Sequence, residues 1–326
     1  MRIFPLGALC LLLGLGRAPA ADVRILVPLY SYPAWYAPAA YVWDDVAAAA
    51  ARVPVTAIIN PDSGPGGGPP NSDYEHGLAE LRAAGVVLLG YVATGYGARP
   101  AADVKADIDL YDAYFDVAGI FLDEADNTTN GLAYYADLYA YIHARSNLHE
   151  VVVNPGINTA EEYLTTPAAD TAVVFEVDEG WSNHVVDAYV SNHPPPRFSV
   201  LLYDLPGADA MRAAVDLAVR RGIGHVYATD DAGANPWDTL PAYWTELVDR
   251  VAAWRDLGLA LSFTNGTRLE LRLLPGRDYR IRHSSNLLFG AWDDLTNGVA
   301  DAPRLSLPDP GAAAAPTRFY LLHILP

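Results

Sequence analysis

Short apolar runs alternate with amphipathic stretches along residues 21–257. Most of these runs are continuous in Val, Ile, Leu, Phe or Tyr rather than alternating with polar residues. That pattern is typical of parallel strands that are buried on both faces of a sheet. The predicted strands are Arg24–Leu29, Val55–Asn60, Val86–Tyr91, Gly119–Leu122, Glu150–Asn154, Ala172–Glu176, Phe198–Tyr203 and Gly224–Ala228.

Helical patterns separate the predicted strands. Asn71-Ser72-Asp73 precedes one of them as a plausible N-terminal cap, and Gly85 and Gly222 follow two others where helices often end. Eight strands alternating with eight helices predict an α/β fold, a (β/α)8 TIM barrel. An open doubly wound sheet is the alternative, but no Gly-rich nucleotide loop follows the first strand. The predicted helices are Val42–Arg52, Tyr74–Ala84, Ala101–Tyr114, Gly131–Arg145, Thr159–Leu164, Asn183–Ser191, Ala208–Arg221 and Pro241–Leu257.

The pattern changes at residue 258, where short β-like runs and turn signals replace the helical stretches. The sequence predicts a small all-β, sandwich-like C-terminal module over residues 258–326. Its predicted strands are Leu259–Phe263, Arg268–Leu273, Asp278–His283 and Phe319–Ile324, and its predicted turns are Asn265-Gly266, Pro275-Gly276 and Asn297-Gly298.

Residues 1–20 have the pattern of a secretory signal peptide. Arg2 supplies a basic start, Leu6–Leu15 an apolar stretch, and Ala18-Pro19-Ala20 a cleavage site. The apolar stretch is too short to span a bilayer. We expect cleavage after Ala20 and a secreted or cell-surface protein whose mature chain has lost Cys10, its single cysteine.

The charge balance narrows the choice of partners. The 326 residues carry a net charge of −18, which becomes −20 once Arg2 and Arg17 leave with the signal peptide. Such a surface repels nucleic acid and anionic lipid, and it suits a neutral or cationic partner. We expect a monomer with a polysaccharide substrate, no nucleic-acid partner and no membrane span.

Acidic residues stand at the carboxyl ends of two predicted strands, which is the working end of a TIM barrel. Asp123 and Glu124 follow one strand, and Glu176 ends another. Successive strand residues point to opposite sides, so only one of Asp123 and Glu124 faces the barrel axis. Two carboxylates about 5–5.5 Å apart perform retaining glycoside hydrolysis. The alternative is that these acids cap helices or pair with arginine at the rim.

Tyrosine and asparagine surround these carboxylates in the predicted barrel. Tyrosine occurs 20 times against 8 phenylalanines, and an aromatic ring with a hydroxyl suits a sugar, which has an apolar face and a polar rim. Packing beneath loops is the alternative role. The predicted substrate-binding residues are Tyr30, Asn60, Tyr91, Tyr96, Asn154, Tyr203 and Tyr227, and Tyr32 belongs to the same tyrosine cluster.

Other chemistries find little support in the sequence. The eight histidines form no zinc-protease motif, and no nucleophile-elbow motif is present. The glycine-rich Gly64–Gly68 lacks the lysine of a phosphate loop, and residues 123–127 lack a calcium-loop pattern. We therefore expect neither a metal site nor a cofactor.

These motifs together resemble the spherulation-specific family 4 (spherulin-4) proteins, which include the glycoside hydrolases of family 135. The resemblance covers about residues 28–230 and implies a (β/α)8 barrel that cleaves a galactosamine-containing, galactosaminogalactan-like exopolysaccharide. The matching stretches are Val27-Pro28-Leu29-Tyr30, Ile59 to Gly66, Gly90 to Gly97, Gly119 to Glu124, Asn154-Pro155-Gly156 and Phe175-Glu176.

The resemblance also implies residue roles. Asp123 matches the catalytic acid that acts as nucleophile, Glu124 an adjacent acid, and Glu176 the acid/base. It places Tyr30, Asn60, Tyr91 and Asn154 in the cleft. Asp62 departs from the asparagine expected there, and residues 258–326 lie outside the family domain.

The sequence thus favours a secreted, endo-acting and retaining glycosidase of a hexosamine polymer. An inverting outcome and Glu124 as the nucleophile both stay open. Two further hypotheses also stay open, a non-catalytic polysaccharide-binding protein of the wall or matrix and a structural coat protein that attaches through its C-terminal module.

Overall fold

The structure, a computed structural model, describes residues 21–39, 41–178, 180–262, 267–286, 290–314 and 317–325. The predicted signal peptide at residues 1–20 and the predicted turn Asn265-Gly266 lie outside the described residues. The chain divides into two compact units, one formed by Asp22–Val251 and the other by the residues from 252 onward.

The first unit is a closed barrel of eight parallel strands, in which neighbours along the chain are neighbours in the sheet. Pairing of Ile25 with Val226 joins the first strand to the last. The strand interiors are almost wholly buried, as continuous apolar runs require. The predicted TIM barrel is confirmed. Its strands are β1 Arg24–Leu29, β2 Val55–Ile59, β3 Val87–Ala93, β4 Gly119–Asp123, β5 Glu150–Val153, β6 Thr171–Val177, β7 Phe198–Leu202 and β8 His225–Ala228.

Helices connect these strands and begin and end at the predicted signals. Asn71 caps α2, because its side-chain oxygen accepts hydrogen bonds from the backbone of Asp73 and Tyr74. Gly85 ends the same helix with a φ of 83°, a left-handed conformation that glycine adopts without steric cost. The helices are α1 Trp43–Ala50, α2 Ser72–Ala83, α3 Ala101–Tyr114, α4 Leu132–His143, α5 Glu162–Thr165, α6 Ala208–Arg220 and α7 Trp244–Asp256.

The predicted helix over Asn183–Ser191 is wrong. The β6–β7 connection instead contains a 3₁₀ helix over Ala188–Asn192. Side chains bind the backbone carbonyls that a helix would use: Arg221 donates to Ser182, and Asn158 donates to Val185. Side-chain bonds to a segment's own carbonyls offer the backbone an alternative to the helical ladder.

The second unit contains two three-stranded antiparallel sheets, with strand orders β13-β10-β9 and β12-β11-β14. Leu269, Leu271, Tyr279 and Ile281 form its buried core. The predicted all-β module is confirmed. Its strands are β9 Gly258–Ser262, β10 Arg268–Arg272, β11 Asp278–Ser284, β12 Asp293–Val299, β13 Arg304–Pro308 and β14 Phe319–Ile324.

One predicted turn of this module is confirmed and another is wrong. Pro275-Gly276 forms a turn before β11. Asn297 and Gly298 instead lie within β12, where Gly298 pairs with Tyr279 of β11. A Cβ on Gly298 would lie 3.5 Å from the Tyr279 ring, an ordinary van der Waals contact, so the strand pairing alone accounts for the place of this residue.

No helix among the described residues combines the length and the apolar character needed to cross a bilayer. In the barrel unit, the carboxyl ends of all eight strands meet at one end. The side chains that end β4, β5 and β6 therefore meet there, and the functional site is built from them.

Candidate active site

A cavity of about 410 Å³ opens at the carboxyl end of the barrel strands. That volume is within the range of small-molecule sites. Most of its polar groups come from strand ends, as expected for a barrel in which loops and strand termini make the site. The lining residues are Pro28, Tyr30, Asn60, Ser63, Phe121, Asp123, Asn154, Glu176, Leu201, Ala234, Asn235 and Trp237.

The side chain of Asn154 joins the two carboxylates at the centre of this cavity. Its Nδ2 donates one hydrogen bond to Asp123 Oδ1 at 2.7 Å and another to Glu176 Oε2. Its Oδ1 accepts from the backbone N–H of Gly156 at 3.1 Å. Because the amide oxygen is occupied by an N–H donor, the NH₂ group must face the carboxylates.

The spacing of the two carboxylates follows from this bridge. Both oxygens bond to the same nitrogen, so two hydrogen bonds of ordinary length place them within about 6 Å of each other. Glu176 is held on the other side by its backbone, whose N–H donates to Gly156 O at 3.0 Å. Gly156 has a φ of 68°, so the β5–α5 loop can turn sharply enough to make both contacts.

The backbone after β4 decides which of the two adjacent acids enters the cavity. Thr94, fully buried at the end of β3, donates from its backbone N–H to Asp123 O and from its hydroxyl to the carbonyls of Asp123 and Glu124. Glu124 has a φ of 50°, in the sparsely populated left-handed region. Asp123 therefore lines the cavity while Glu124 is exposed.

The electrostatics of the cavity separate the protonation behaviour of the pair. Burial, and next the charge of Asp123, raise the pKa of Glu176, the hydrogen bond from Asn154 lowers it, and the net result is a pKa of about 7. Burial and a like charge each disfavour the ionised carboxylate. Near neutral pH, Glu176 is therefore a carboxylic acid that can still give up its proton.

Two tyrosines pack beside the carboxylates. The rings of Tyr30 and Tyr91 meet edge to face, with centroids 5.6 Å apart. Burial, and next the charge of Asp123, raises the pKa of both hydroxyls above the usual tyrosine value. Both groups therefore remain O–H donors. Asn60 fixes the neighbouring loop, because its Oδ1 accepts from the backbone N–H of Gly64 at 2.8 Å.

Comparison with known proteins identifies the family of this barrel. The model of the spherulation-specific family 4 matches residues 24–251. The chain belongs to the spherulation-specific family 4. Spherulin-4 of Physarum polycephalum is 34% identical over 264 residues, covering 74% of this chain and 77% of that protein. The predicted family resemblance is thus confirmed.

A solved structure also resembles this spherulation-specific family 4 protein. The crystal structure of Aspergillus clavatus Sph3 in complex with GalNAc is 30% identical to it, with a TM-score of 0.61. The match covers 71% of this chain and 97% of the Sph3 chain. Both the sequence and the barrel are therefore shared with a protein that was solved with an amino sugar bound.

Five of the predicted site residues of this spherulation-specific family 4 protein are not among those that line the cavity, and one of them is Tyr91, which packs behind Tyr30. Glu124 is exposed, and Tyr96 is 68% exposed on the β3–α3 loop. Tyr203 packs edge to face on Trp237, with ring centroids 5.5 Å apart. Tyr227 is fully buried beside the same tryptophan, so it supports the cavity wall from behind.

Sequence reasoning missed the wall supplied by the β8–α7 loop. Ala234, Asn235 and Trp237 line the cavity from this loop, and the backbone of Trp237 accepts a hydrogen bond from Tyr30 N at 3.1 Å. The available signal was a tryptophan in the long connection that follows the last barrel strand. Ser63 was also missed, because it lies in the loop after β2 and the hydrophobic pattern does not predict the path of a loop.

Metal chemistry has no cluster of ligands to use in the parts of the chain that the structure describes. No group of three or more His, Cys, Asp or Glu side chains there could hold a metal ion.

The raised pKa of Glu176 predicts a pH-dependent gain in stability on substitution. The unfolded chain releases this proton near pH 4.5, whereas the folded protein keeps it until about pH 7. Ionisation therefore favours unfolding, and the wild type loses up to about 3 kcal/mol between these pH values. We expect the free energy of unfolding of Glu176→Gln, measured with urea, to increase relative to that of the wild type as pH rises from 5 to 7. Above pH 8 the difference should not increase further.

Glu75→Gln is the matched control, because Glu75 is an exposed carboxylate on α2. Its stability difference from the wild type should not change over the same pH range. A Glu176→Gln difference that stays flat from pH 5 to 8 would show that Glu176 ionises normally in the folded protein.

Proposed function

We propose that this protein is a glycoside hydrolase that cleaves a hexosamine-containing exopolysaccharide, with Asp123 as nucleophile and Glu176 as acid/base. The observation that carries the proposal is the bridge from Asn154, which holds two carboxylates within about 6 Å of each other in an open cavity. The GalNAc bound to the similar Sph3 structure supports an amino sugar as the bound unit.

The first chemical step uses the unequal protonation of the pair. Asp123 Oδ attacks the anomeric carbon, and the bond from that carbon to the glycosidic oxygen breaks. Glu176 transfers its proton to the departing oxygen, which leaves as a hydroxyl on the shortened polymer. The step yields a glycosyl ester on Asp123 and an ionised Glu176, and it needs the acid to be protonated at working pH.

The second step regenerates the enzyme. Glu176, now a carboxylate, takes a proton from water, and the water oxygen attacks the anomeric carbon and displaces Asp123. Two displacements retain the anomeric configuration. Retaining enzymes hold their carboxyl groups about 5–5.5 Å apart, whereas inverting enzymes need about 6.5–9.5 Å to admit a water. A bridge through one nitrogen favours the shorter spacing.

The net charge of the chain indicates the kind of polymer, and the predicted signal peptide indicates the location of the protein. A mature chain with a net charge of −20 attracts a partly cationic amino-sugar polymer, does not repel a neutral one and repels an acidic one. The predicted cleavage after Ala20 places the enzyme outside the cell, where such a polymer is found. The expected observation is a mature N-terminus at Ala21 in protein recovered from the culture medium.

Chemical rescue identifies the nucleophile directly. We expect Asp123→Ala to lose about 10⁴-fold or more of kcat on a soluble, partly N-acetylated galactosamine polymer. Added azide should occupy the vacated space, attack the anomeric carbon and restore turnover. Mass spectrometry should then detect a glycosyl azide, and NMR should assign it the inverted anomeric configuration.

Glu124→Ala is the matched control, one residue along the chain with its side chain outside the cavity. It should form no glycosyl azide. Azide rescue of Glu124→Ala but not of Asp123→Ala would reassign the nucleophile. Cleavage by Asp123→Ala at the parent rate without azide would remove the proposed mechanism altogether.

The acid role of Glu176 predicts the alkaline side of the pH profile. Because the pKa of Glu176 is raised to about 7, kcat/KM should fall as pH rises through about 7. Glu176→Gln should lower kcat by about 10²–10⁴-fold and abolish this alkaline fall. An unchanged alkaline fall in the variant would assign the acid to another group.

A further inference from the structure

A cluster of exposed aromatic side chains lies outside the cavity, on the loop after β1 and the start of α2. We name Tyr32, Trp35, Tyr36 and His76 the aromatic platform. Tyr32 is 45% exposed, Trp35 47% and Tyr36 63%. Large aromatic surfaces left open to water on a folded protein are characteristic of binding sites.

The polar edges of two platform residues, Tyr32 and Trp35, are occupied by the protein itself. One carboxylate accepts from both residues: Asp73 Oδ2 from the Tyr32 hydroxyl at 2.7 Å, and Asp73 Oδ1 from the Trp35 indole N–H at 3.1 Å. Asn71 donates to the Tyr32 hydroxyl oxygen at 3.0 Å. A surface tyrosine or tryptophan usually turns this polar edge to water. Here the edges face the protein, so the exposed area of both rings is largely apolar.

The platform is held in a fixed geometry. His76 stacks on Trp35 with ring centroids 4.9 Å apart, and Tyr36 meets Trp35 edge to face at 6.2 Å. Behind them, Tyr74 packs against Tyr32, and the Trp43 indole N–H donates to Ser31 O at 3.1 Å. A ligand that stacks on such a surface meets rings that are already ordered, which lowers the entropic cost of binding.

The platform lies on the same loop as a cavity residue. Tyr30 lines the cavity, and Trp35 follows it five residues later. Five residues of extended chain span at most roughly 18 Å. A polysaccharide with one unit at the Asp123 and Glu176 pair therefore needs only a few more units to reach Trp35.

We propose that the aromatic platform is a remote binding site for the same polysaccharide chain, taking pyranose units by the apolar faces of their rings. The inference rests on the proposed function for the identity of the chain. Pyranose rings suit the site because they present C–H faces to the aromatic rings while their hydroxyl groups stay in water. The surplus of acidic residues further selects a neutral or cationic amino-sugar polymer over an acidic one.

The test measures binding separately from cleavage. The probe is a soluble, partly N-acetylated galactosamine polymer, and retardation in affinity gel electrophoresis is measured in the Asp123→Asn background, which blocks turnover. Adding Trp35→Ala and Tyr36→Ala should weaken binding about tenfold or more, because each lost stacking contact contributes to affinity. Trp35→Phe should retain most of the binding, since it keeps an aromatic face.

Tyr114→Ala is the matched control. Tyr114 is 48% exposed, a fraction similar to that of Trp35. It ends α3, at the opposite end of the barrel from the cavity. It should bind the polymer like the parent. Unchanged polymer retardation of the Trp35→Ala/Tyr36→Ala protein, or an equal loss in Tyr114→Ala, would overturn the platform.

Cleavage assays in the wild-type background give the second readout. The platform variants should raise KM for the polymer about tenfold while leaving kcat/KM on a disaccharide unchanged, because both units of a disaccharide are held at the Asp123 and Glu176 pair when its one linkage is cleaved. If the wild type cleaves the polymer and the platform variants have the same KM, the proposed binding site is wrong and the proposed hydrolase activity is kept. If the wild type does not cleave the polymer but the platform variants lose polymer binding, the proposed hydrolase activity is wrong and the proposed binding site is kept.

Discussion

The site depends on two carboxylates placed so close together that they cannot both ionise freely. Two negative charges about 5 Å apart repel each other by roughly 3 kcal/mol at an effective dielectric constant near 20. The fold accommodates this repulsion in two ways. Burial and the charge of Asp123 keep a proton on Glu176, and the Asn154 amide places positive N–H groups between the pair. A single asparagine thus fixes the spacing of the carboxylates, whereas burial and the charge of Asp123 keep the proton on Glu176.

The loops that follow the barrel strands hold most of the left-handed non-glycine residues that the structure describes. Ser63, Tyr96, Glu124 and Asp204 have φ between 49° and 56° and each follows a different barrel strand, whereas Asp116, with a φ of 49°, precedes β4. A left-handed conformation costs a non-glycine residue on the order of 1 kcal/mol, so it persists only where surrounding contacts impose it. At Glu124, those contacts are the hydrogen bonds from Thr94 and Tyr96. The rigid strands below the loops supply the stability that tolerates this strain.

Strand-borne residues could be placed from the sequence, whereas loop-borne ones could not. Asp123, Asn154 and Glu176 each end a strand whose apolar run was plain, and the barrel rule then brings strand ends together. Trp237 lies nine positions beyond the end of β8, and tertiary contacts rather than periodicity set its path. Tyr227 points into the barrel as the alternation predicts, yet Trp237 covers it. Alternation along a strand predicts the face on which a side chain lies, but not whether another residue covers it.

The same distinction explains the errors among the connecting elements. Asn183–Ser191 had an acceptable helical composition, but side chains from other elements hydrogen-bond the carbonyls of Ser182 and Val185. Asn297 and Gly298 had the composition of a turn, but pairing with Arg280 and Tyr279 of β11 incorporates them into β12. In both cases the deciding contact comes from far along the chain, where local propensity carries no information.

The occupied polar edges of Tyr32 and Trp35 have a consequence for selectivity. Discrimination among sugars that differ in one hydroxyl or acetamido group comes from donors and acceptors that are left unsatisfied when the wrong group is bound. A surface whose donors already bond to Asp73 has little to withhold from a mismatched unit. Under the proposed function, Tyr32 and Trp35 would therefore bind units of different acetylation with similar affinity, and the choice of linkage would depend mainly on the cavity.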